Sequence, residues 1–224
     1  MGRIHRYEGT EVIVEFEPGR CIHTGDCTHG LPEVFDTRRS GRWVHPDGAA
    51  ASMVALTCAA CPTGALRCIH KQTGEIMLPE QTGHTVQVIA NGPLYVHADM
   101  VVNGQHEQAR RAAFCRCGQS RLMPWCDNSH RQSHFTDAGV VSQPSTETAQ
   151  AEASGPLQIH SIPNGPLLID GPFTLIGAGQ SSGCKLNNAA FCRCGASGAK
   201  PYCDGSHLST EFESSSPATG TKDD

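Results

Sequence analysis

A chain of 224 residues with 24 glycines, 14 prolines and 12 cysteines, 38% hydrophobic and only 5% aromatic, does not rest on large aromatic-rich cores, because aromatics supply much of the area that a core buries. Charged residues make up 17%, below the usual quarter or so, which argues against disorder by self-repulsion over the whole length. A net charge of −5, from 17 basic and 22 acidic residues, argues against general nucleic-acid binding. What remains is a set of small, turn-rich units that need staples.

The first nine residues, MGRIHRYEG, contain no apolar stretch of the secretory kind, and Arg6 stands where a myristoylation motif wants Ser or Thr. No run is apolar and long enough to span a bilayer. The expectation is therefore a soluble, cytoplasmic chain in reducing surroundings, where thiols bind metal more often than they pair.

Residues 1–80 form a unit of their own. The alternation over 11–16 predicts a strand, and Asp47 stands where it would cap an Ala-rich helix over 48–59. Cys21 and Cys27 are five residues apart, and Cys61 is followed by Pro62. A bacterial ferredoxin takes C-x2-C-x2-C from one loop and a final Cys-Pro from elsewhere; here Thr24 occupies the middle cysteine's place. Three thiolates are left. CIHTGDC at 21–27, GLPEVF at 30–35, Pro46-Asp47 and CPTGAL at 61–66 together resemble the divergent single-cluster ferredoxin family. The resemblance spans roughly 6–70 and implies an α+β, ferredoxin-like domain with a [3Fe–4S] or [4Fe–4S] cluster on Cys21, Cys27 and Cys61. Cys58, three residues before Cys61, is either the fourth ligand or a small buried residue on the helix, the two being equally matched. His23 and Cys68 are weaker candidates.

The rest of the chain repeats itself. Asn91-Gly92-Pro93-Leu94 returns as Asn164-Gly165-Pro166-Leu167, FCRCG at 114–118 returns unchanged at 191–195, and PWCDNSH at 124–130 returns as PYCDGSH at 201–207. The C-terminal two-thirds is a tandem duplication: module 1 at 84–135 and module 2 at 155–212. Between them 136–154 reads as a flexible linker, and 213–224 as a disordered tail, both by composition. Alternating runs at 86–89, 94–96, 157–159, 167–169 and 173–176, separated by Asn-Gly-Pro and Asp-Gly-Pro steps, predict small hairpin sheets. Arg110, Arg111, Arg116, Arg121 and Arg131 make the middle of the chain positive; a solvated face is favoured over a docking patch for an acidic partner.

Each module carries C-x-C-x8-C-x3-H: Cys115, Cys117, Cys126 and His130, then Cys192, Cys194, Cys203 and His207. Two thiolates one residue apart can chelate one metal from a short loop, and a Cys and His at i and i+4 share a face if a helical turn begins there. Three thiolates and one imidazole suit tetrahedral zinc or an iron–sulfur centre, and spacing alone leaves the two evenly matched.

Cys192, Cys194, Ser197, Pro201 and the run CDGSH at 203–207 carry the full pattern of the CDGSH iron–sulfur family. Module 1 resembles it at Cys115, Cys117, Ser120, Pro124, Cys126, Asp127, Ser129 and His130, with Asn128 in place of Gly; Asn tolerates a left-handed backbone better than most residues, so the turn is expected to survive. The resemblance implies that each module holds a [2Fe–2S] cluster on its three cysteines and histidine, the two small β-rich modules packing as a pseudo-twofold pair. Replacing a thiolate by imidazole makes the centre less negative and easier to reduce, and a titrating imidazole couples the electron to a proton.

Cys184 lacks a partner at ligand spacing and reads as a plain thiol, and the remaining histidines read as surface or loop residues. The start of a dinucleotide loop at 177–183 breaks its glycine spacing, and no nucleophile elbow, Walker loop or carboxylate pair follows. The expectation is a non-enzymatic, monomeric carrier relaying single electrons to a redox partner protein, with neither nucleic acid nor membrane involved. Cluster transfer, redox or pH sensing, a zinc-stapled adaptor and a redox enzyme with an open iron site are its rivals.

Overall fold

The computed structural model describes residues 3–79, 83–141 and 155–214, which fall into two compact units, 1–82 and 83–224. Both are small and sheet-rich with few helices. Among the described residues no helix is long and apolar enough to cross a membrane.

In the first unit β1 (His5–Glu8), β2 (Val12–Phe16) and β3 (Leu66–His70) form an antiparallel sheet with β2 in the middle. Its core gathers Val12, Val14, Val34, Phe35, Val44, Val54 and Leu66. Trp43 packs edge-on against Phe16 with ring centroids 5.0 Å apart. Two short helices complete the unit, α1 (Asp26–Gly30) and α2 (Ala51–Ala59). The helix expected from residue 48 starts later, after a 3-10 turn at Pro46–Gly48, and no side chain caps it. Asp47 is engaged elsewhere: its Oδ1 accepts the backbone N–H of Thr10 at 2.7 Å. That bond ties the turn between β1 and β2 to the loop before α2, satisfying a donor which the turn leaves free.

The second unit is built on one sheet. Its strands are β4 (Thr85–Val88), β5 (Leu94–His97), β6 (Met100–Val102), β7 (Gln105–His106), β8 (Arg111–Phe114), β9 (Leu157–Ser161), β10 (Leu167–Ile176) and β11 (Cys184–Phe191). The order is β7-β6-β9-β10-β4-β5-β8, with β11 on β10. Each module lends a strand to the other. Val101 and Val102 of β6 pair in parallel with Gln158 and Ile159 of β9. At the equivalent positions of the repeat, Thr174 and Leu175 of β10 pair in parallel with Thr85 and Val86 of β4. The core is shared accordingly: Val86, Val88, Leu94, Val96 and Phe114 pack in one cluster with Leu157, Ile159, Leu167, Ile169 and Phe191.

The Asp-Gly-Pro step at 170–172, expected as a hairpin turn, is instead a bulge within β10, where the register to β11 shifts between Asp170 and Phe173. Gly171 sits there at φ +110°, a backbone that other residues rarely adopt, and it bends the strand without ending it. Asn91 at φ +50° and Asn164 at φ +51° make the turns that were expected of them.

Residues 142–154 of the expected linker and 215–224 of the expected tail lie outside the described residues. The ends next to them belong to the fold: Val141 is buried in the shared core, and Asp137 and Ser214 are hydrogen-bonded to Asn91 and Asn164.

Candidate metal centres

The two CDGSH-type loops are built alike, each on a hairpin of its module. β8 delivers Cys115 and Cys117, and β11 delivers Cys192 and Cys194. Cys126 N–H donates to Ala113 and Cys203 N–H to Ala190, at 2.8 and 2.9 Å, so the second half of each loop is stitched to the strand that precedes the first. Ser120 Oγ donates to the Trp125 carbonyl at 2.6 Å and accepts from Leu122 N–H. Ser197 does the same with Tyr202 and Ala199. Trp125 and Tyr202 stack on Phe114 and Phe191. Pro124 and Pro201 both follow cis peptide bonds.

The expected helical turn is present as a 3-10 turn, Ser129–Arg131 in module 1 and Ser206–Ser209 in module 2. It begins at Asn128 with φ 75° and at Gly205 with φ 90°, so asparagine does keep the left-handed step. Asp127 and Asp204 hold the turn by accepting the N–H and hydroxyl of Ser129 and Ser206. Their other oxygens accept the N–H of Arg121 and Gly198. Desolvation opposes ionisation of Asp127, but the bonds from Ser129 and Arg121 outweigh it and hold its carboxyl below the usual range.

The donors come in pairs. Cys115 and Cys117 have their sulfurs 3.6 Å apart, as do Cys192 and Cys194. Cys126 Sγ stands 3.5 Å from His130 Nδ1, and Cys203 Sγ 3.3 Å from His207 Nδ1. Two thiolates on one tetrahedral ion, with metal–sulfur bonds of about 2.3 Å, stand about 3.8 Å apart, and a thiolate and imidazole about 3.5 Å. Each pair therefore has the span of one metal's ligands. Among the described residues no three His, Cys, Asp or Glu side chains meet at one ion-sized position.

The thiols answer to burial and to one another. The bond from Cys117 and burial push Cys115 up, while the same contact lowers Cys117 to about 7. Burial pushes Cys126 up to about 12, and a charge on Cys115 adds to it, so the two pairs of module 1 sense each other. Burial also lifts Cys192. His130 is held below the usual imidazole range by burial and by the charges of Arg131 and Arg116.

In the first unit Cys21, Cys27 and Cys61 line one cavity of about 510 Å³, together with His23, Asp26 and Trp43. Burial raises Cys21 and Cys27, and a charge on Cys61 acts in the same direction on both. Cys58 does not line this cavity. It is 1% exposed in the core, hydrogen-bonded to Cys68, whose thiol that bond lowers. The structure thus places Cys58 in the core beside Cys68 of β3, apart from the cavity that Cys21, Cys27 and Cys61 line. His23 lines that cavity. It has φ +52°, with Nδ1 3.8 Å from Cys21 Sγ.

Spacing did not single out Arg116 and Arg193, buried between the paired cysteines at 3% and 2% exposure. It also passed over Gly118 and Gly195, where the two C-x-C loops touch: a Cβ on Gly118 would lie 2.6 Å from the Cys194 carbonyl oxygen, and one on Gly195 2.9 Å from that of Cys117. The invariance of CRCG between the copies was the available signal.

Comparison with known proteins agrees with this division. Residues 7–71 match the profile of the divergent 4Fe-4S mono-cluster family. Residues 91–131 and 164–208 each match the iron-binding zinc finger CDGSH type. The chain is 34% identical over 65 residues to the uncharacterized protein YjdI of Escherichia coli K12, covering 29% of this chain and 84% of that protein. The protein of the same description from Escherichia coli O157:H7 gives the same figures. No solved structure matches the chain. Through residues 7–71 the chain belongs to the divergent 4Fe-4S mono-cluster family, and its second unit carries two iron-binding modules of the CDGSH type.

Proposed function

We propose that this iron–sulfur protein is an electron carrier rather than an enzyme, passing single electrons to a redox partner protein as a monomer in reducing cytosol. The observation that carries the proposal is the pairing of donors in the second unit. A structural zinc gathers four donors at one ion, whereas two pairs of single-metal span suit the two irons of a [2Fe–2S] centre. The reciprocal parallel pairings of β6 with β9 and of β10 with β4 support a pseudo-twofold arrangement of the modules. For the first unit, Cys21, Cys27 and Cys61 are the thiolates proposed to hold a [3Fe–4S] or [4Fe–4S] cluster.

When bound, such clusters supply sites that take up and return one electron each. The protein's own contribution is to hold and tune them. Thiolates supply the negative ligands, and burial in the apolar cluster of Cys115, Cys117, Met123 and Phe212 keeps water from module 1's first pair. Asn128 N–H donates to Cys126 Sγ at 3.4 Å and stabilises its thiolate. With Nδ1 of His130 and His207 turned toward cysteine sulfur, Nε2 is the atom left to exchange a proton.

Anaerobic purification followed by iron, acid-labile sulfide and zinc analysis tests the assignment. The expected result is iron with matching sulfide and reversible reduction without loss of either. Stoichiometric zinc in a colourless protein would sink it, and loss of iron and sulfide to an apo-ferredoxin on reduction would favour cluster transfer. Cys203→Ser is expected to remove one of two [2Fe–2S] signals, since each module owns a full donor set.

The first unit makes a contrasting pair. Cys61→Ser is expected to abolish its cluster, read as loss of its absorbance and EPR signal. Cys58→Ala should keep the cluster and lower stability by about 1–2 kcal/mol, the cost of a small core void. Loss of the cluster in Cys58→Ala would restore Cys58 as a ligand.

A further inference from the structure

Three sulfur atoms meet in the first unit, apart from the cavity of Cys21, Cys27 and Cys61. Cys58 of α2 and Cys68 of β3 are each 1% exposed and share a hydrogen bond, which draws the Cys68 thiol below its usual range although burial acts against it. The Cys68 thiol also donates to Met77 Sδ at 3.9 Å. Register places this thioether. After β3 the chain turns back, Ile76 bridges Ile69, and Met77 N–H donates to the Cys68 carbonyl at 2.8 Å. Residues directly opposite in an antiparallel pair share a face, so Met77 lies beside Cys68 on one side as Val14 does on the other. α2 packs on β3 and brings Cys58 to that face.

We propose that Cys58, Cys68 and Met77 form a second metal site in the first unit, one that takes a soft monovalent cation, copper(I). Two buried cysteines alone would be ordinary core residues; the thioether held against one of them makes a donor set. Thiolates with a thioether are the soft combination that copper(I), zinc and iron–sulfur clusters accept. Structural zinc closes a tetrahedron of four nitrogen and sulfur donors, and the three sulfurs here are one donor short. An iron–sulfur cluster needs room for its sulfide as well as its iron, and Cys58 and Cys68 stand in packed core rather than on the cavity. A single copper(I) ion is left as the cation that fits.

The exposure of the three residues supplies a way in. Met77 is half-buried at the rim, and the two thiols lie behind it. Val14, Val54 and Leu66 belong to the same apolar core. A dry site of sulfur donors keeps the ion as copper(I), because copper(II) prefers nitrogen and oxygen donors. Binding releases two S–H protons to solvent, the two copper–thiolate bonds replacing two sulfur–proton bonds, and no electron changes hands. Cys61 lies three residues beyond Cys58, so α2 and the residues just after it carry a donor of each site, but the two sites share no ligand. The inference goes beyond the iron–sulfur reading and does not depend on it.

The test uses the full chain as purified, titrated anaerobically with copper(I) held by bicinchoninate, with Cys58→Ala/Cys68→Ala run beside it. The wild type is expected to keep one copper(I) per chain that the double variant does not. Iron and sulfide should be unchanged in both, and X-ray absorption should show sulfur as the only neighbour of the copper. Met77→Leu keeps the size of the side chain. It should hold that copper at least about tenfold more weakly, no less than the loss of an outer-shell partner costs, and it decides the matter if the double variant fails to fold. Equal copper in wild type and double variant, copper gained only as iron is lost, or Met77→Leu binding as tightly as the wild type would overturn the inference and leave the iron–sulfur assignment standing. A purified chain without iron and sulfide would remove that assignment, while the copper comparison still holds, because the wild type and its variants share every other cysteine.

Discussion

His207→Cys is expected to make its cluster harder to reduce and to flatten the pH dependence of its midpoint. The substitution exchanges a neutral nitrogen 3.3 Å from Cys203 Sγ for a fourth thiolate, adding one negative charge to the site, and the extra charge disfavours the incoming electron. With imidazole in place, one proton taken up per electron gives a slope of about 59 mV per pH unit; with cysteine the titrating nitrogen is gone and the slope falls to about zero. Potentiometric titration over a pH series reads both effects, and an unchanged midpoint with an unchanged slope would show that His207 is not a ligand.

His130→Cys should act in the same direction, and its acid behaviour has a definite sign. Burial and the charges of Arg131 and Arg116 hold His130 below the usual imidazole value. As pH falls from about 6.5, the unfolded chain takes up a proton that the folded chain refuses, so module 1 loses stability through that window. The cysteine variant lacks this contribution and should retain its cluster absorbance longer on mild acidification.

These donors were legible in the sequence because the duplication repeats them at fixed spacing, and a Cys-x-Cys or Cys-x3-His pair spans one metal's ligands whatever the surrounding fold. The left-handed step at Asn128 was legible for a similar local reason. What could not be read were features set by distant parts of the chain. Cys58 lies in the core beside Cys68 while His23 lines the cavity of Cys21, Cys27 and Cys61 because α2 packs on β3, and nothing local to 58–61 states that. The Asp-Gly-Pro step of β10 looks like a turn until the neighbouring strands are known to carry it through as a bulge. The strand exchange between β6 and β9 joins residues more than fifty positions apart, and short strands such as β6 and the uniformly buried β8 show no alternation to reveal them.

The contact between the C-x-C loops carries the largest structural prediction. Gly118→Ala is expected to destabilise the second unit by roughly 2–4 kcal/mol and to lower the iron content of both modules. Two costs combine. Gly118 has φ +76°, a conformation that costs a residue with a Cβ about 1 kcal/mol or more. The new Cβ would also lie 2.6 Å from the carbonyl oxygen and 3.0 Å from the carbonyl carbon of Cys194. That neighbour is backbone and cannot swing aside as a side-chain tip could, so overpacking adds about 1–3 kcal/mol. Because the obstructed atoms belong to a proposed ligand of module 2, the disturbance should reach the cluster that Gly118's own module does not hold. Gly195→Ala should act alike but more weakly, its Cβ meeting the Cys117 carbonyl oxygen at 2.9 Å. Gly104→Ala is the control: it has φ +81° in the same unit, with nothing within 4 Å of its Cβ, and so carries the conformational cost alone. Chemical denaturation of the three variants, with iron counted per module through the two [2Fe–2S] signals, separates the terms. If Gly118→Ala loses no more stability than Gly104→Ala and keeps both clusters, the loops are not in contact and the modules do not support each other's metal sites.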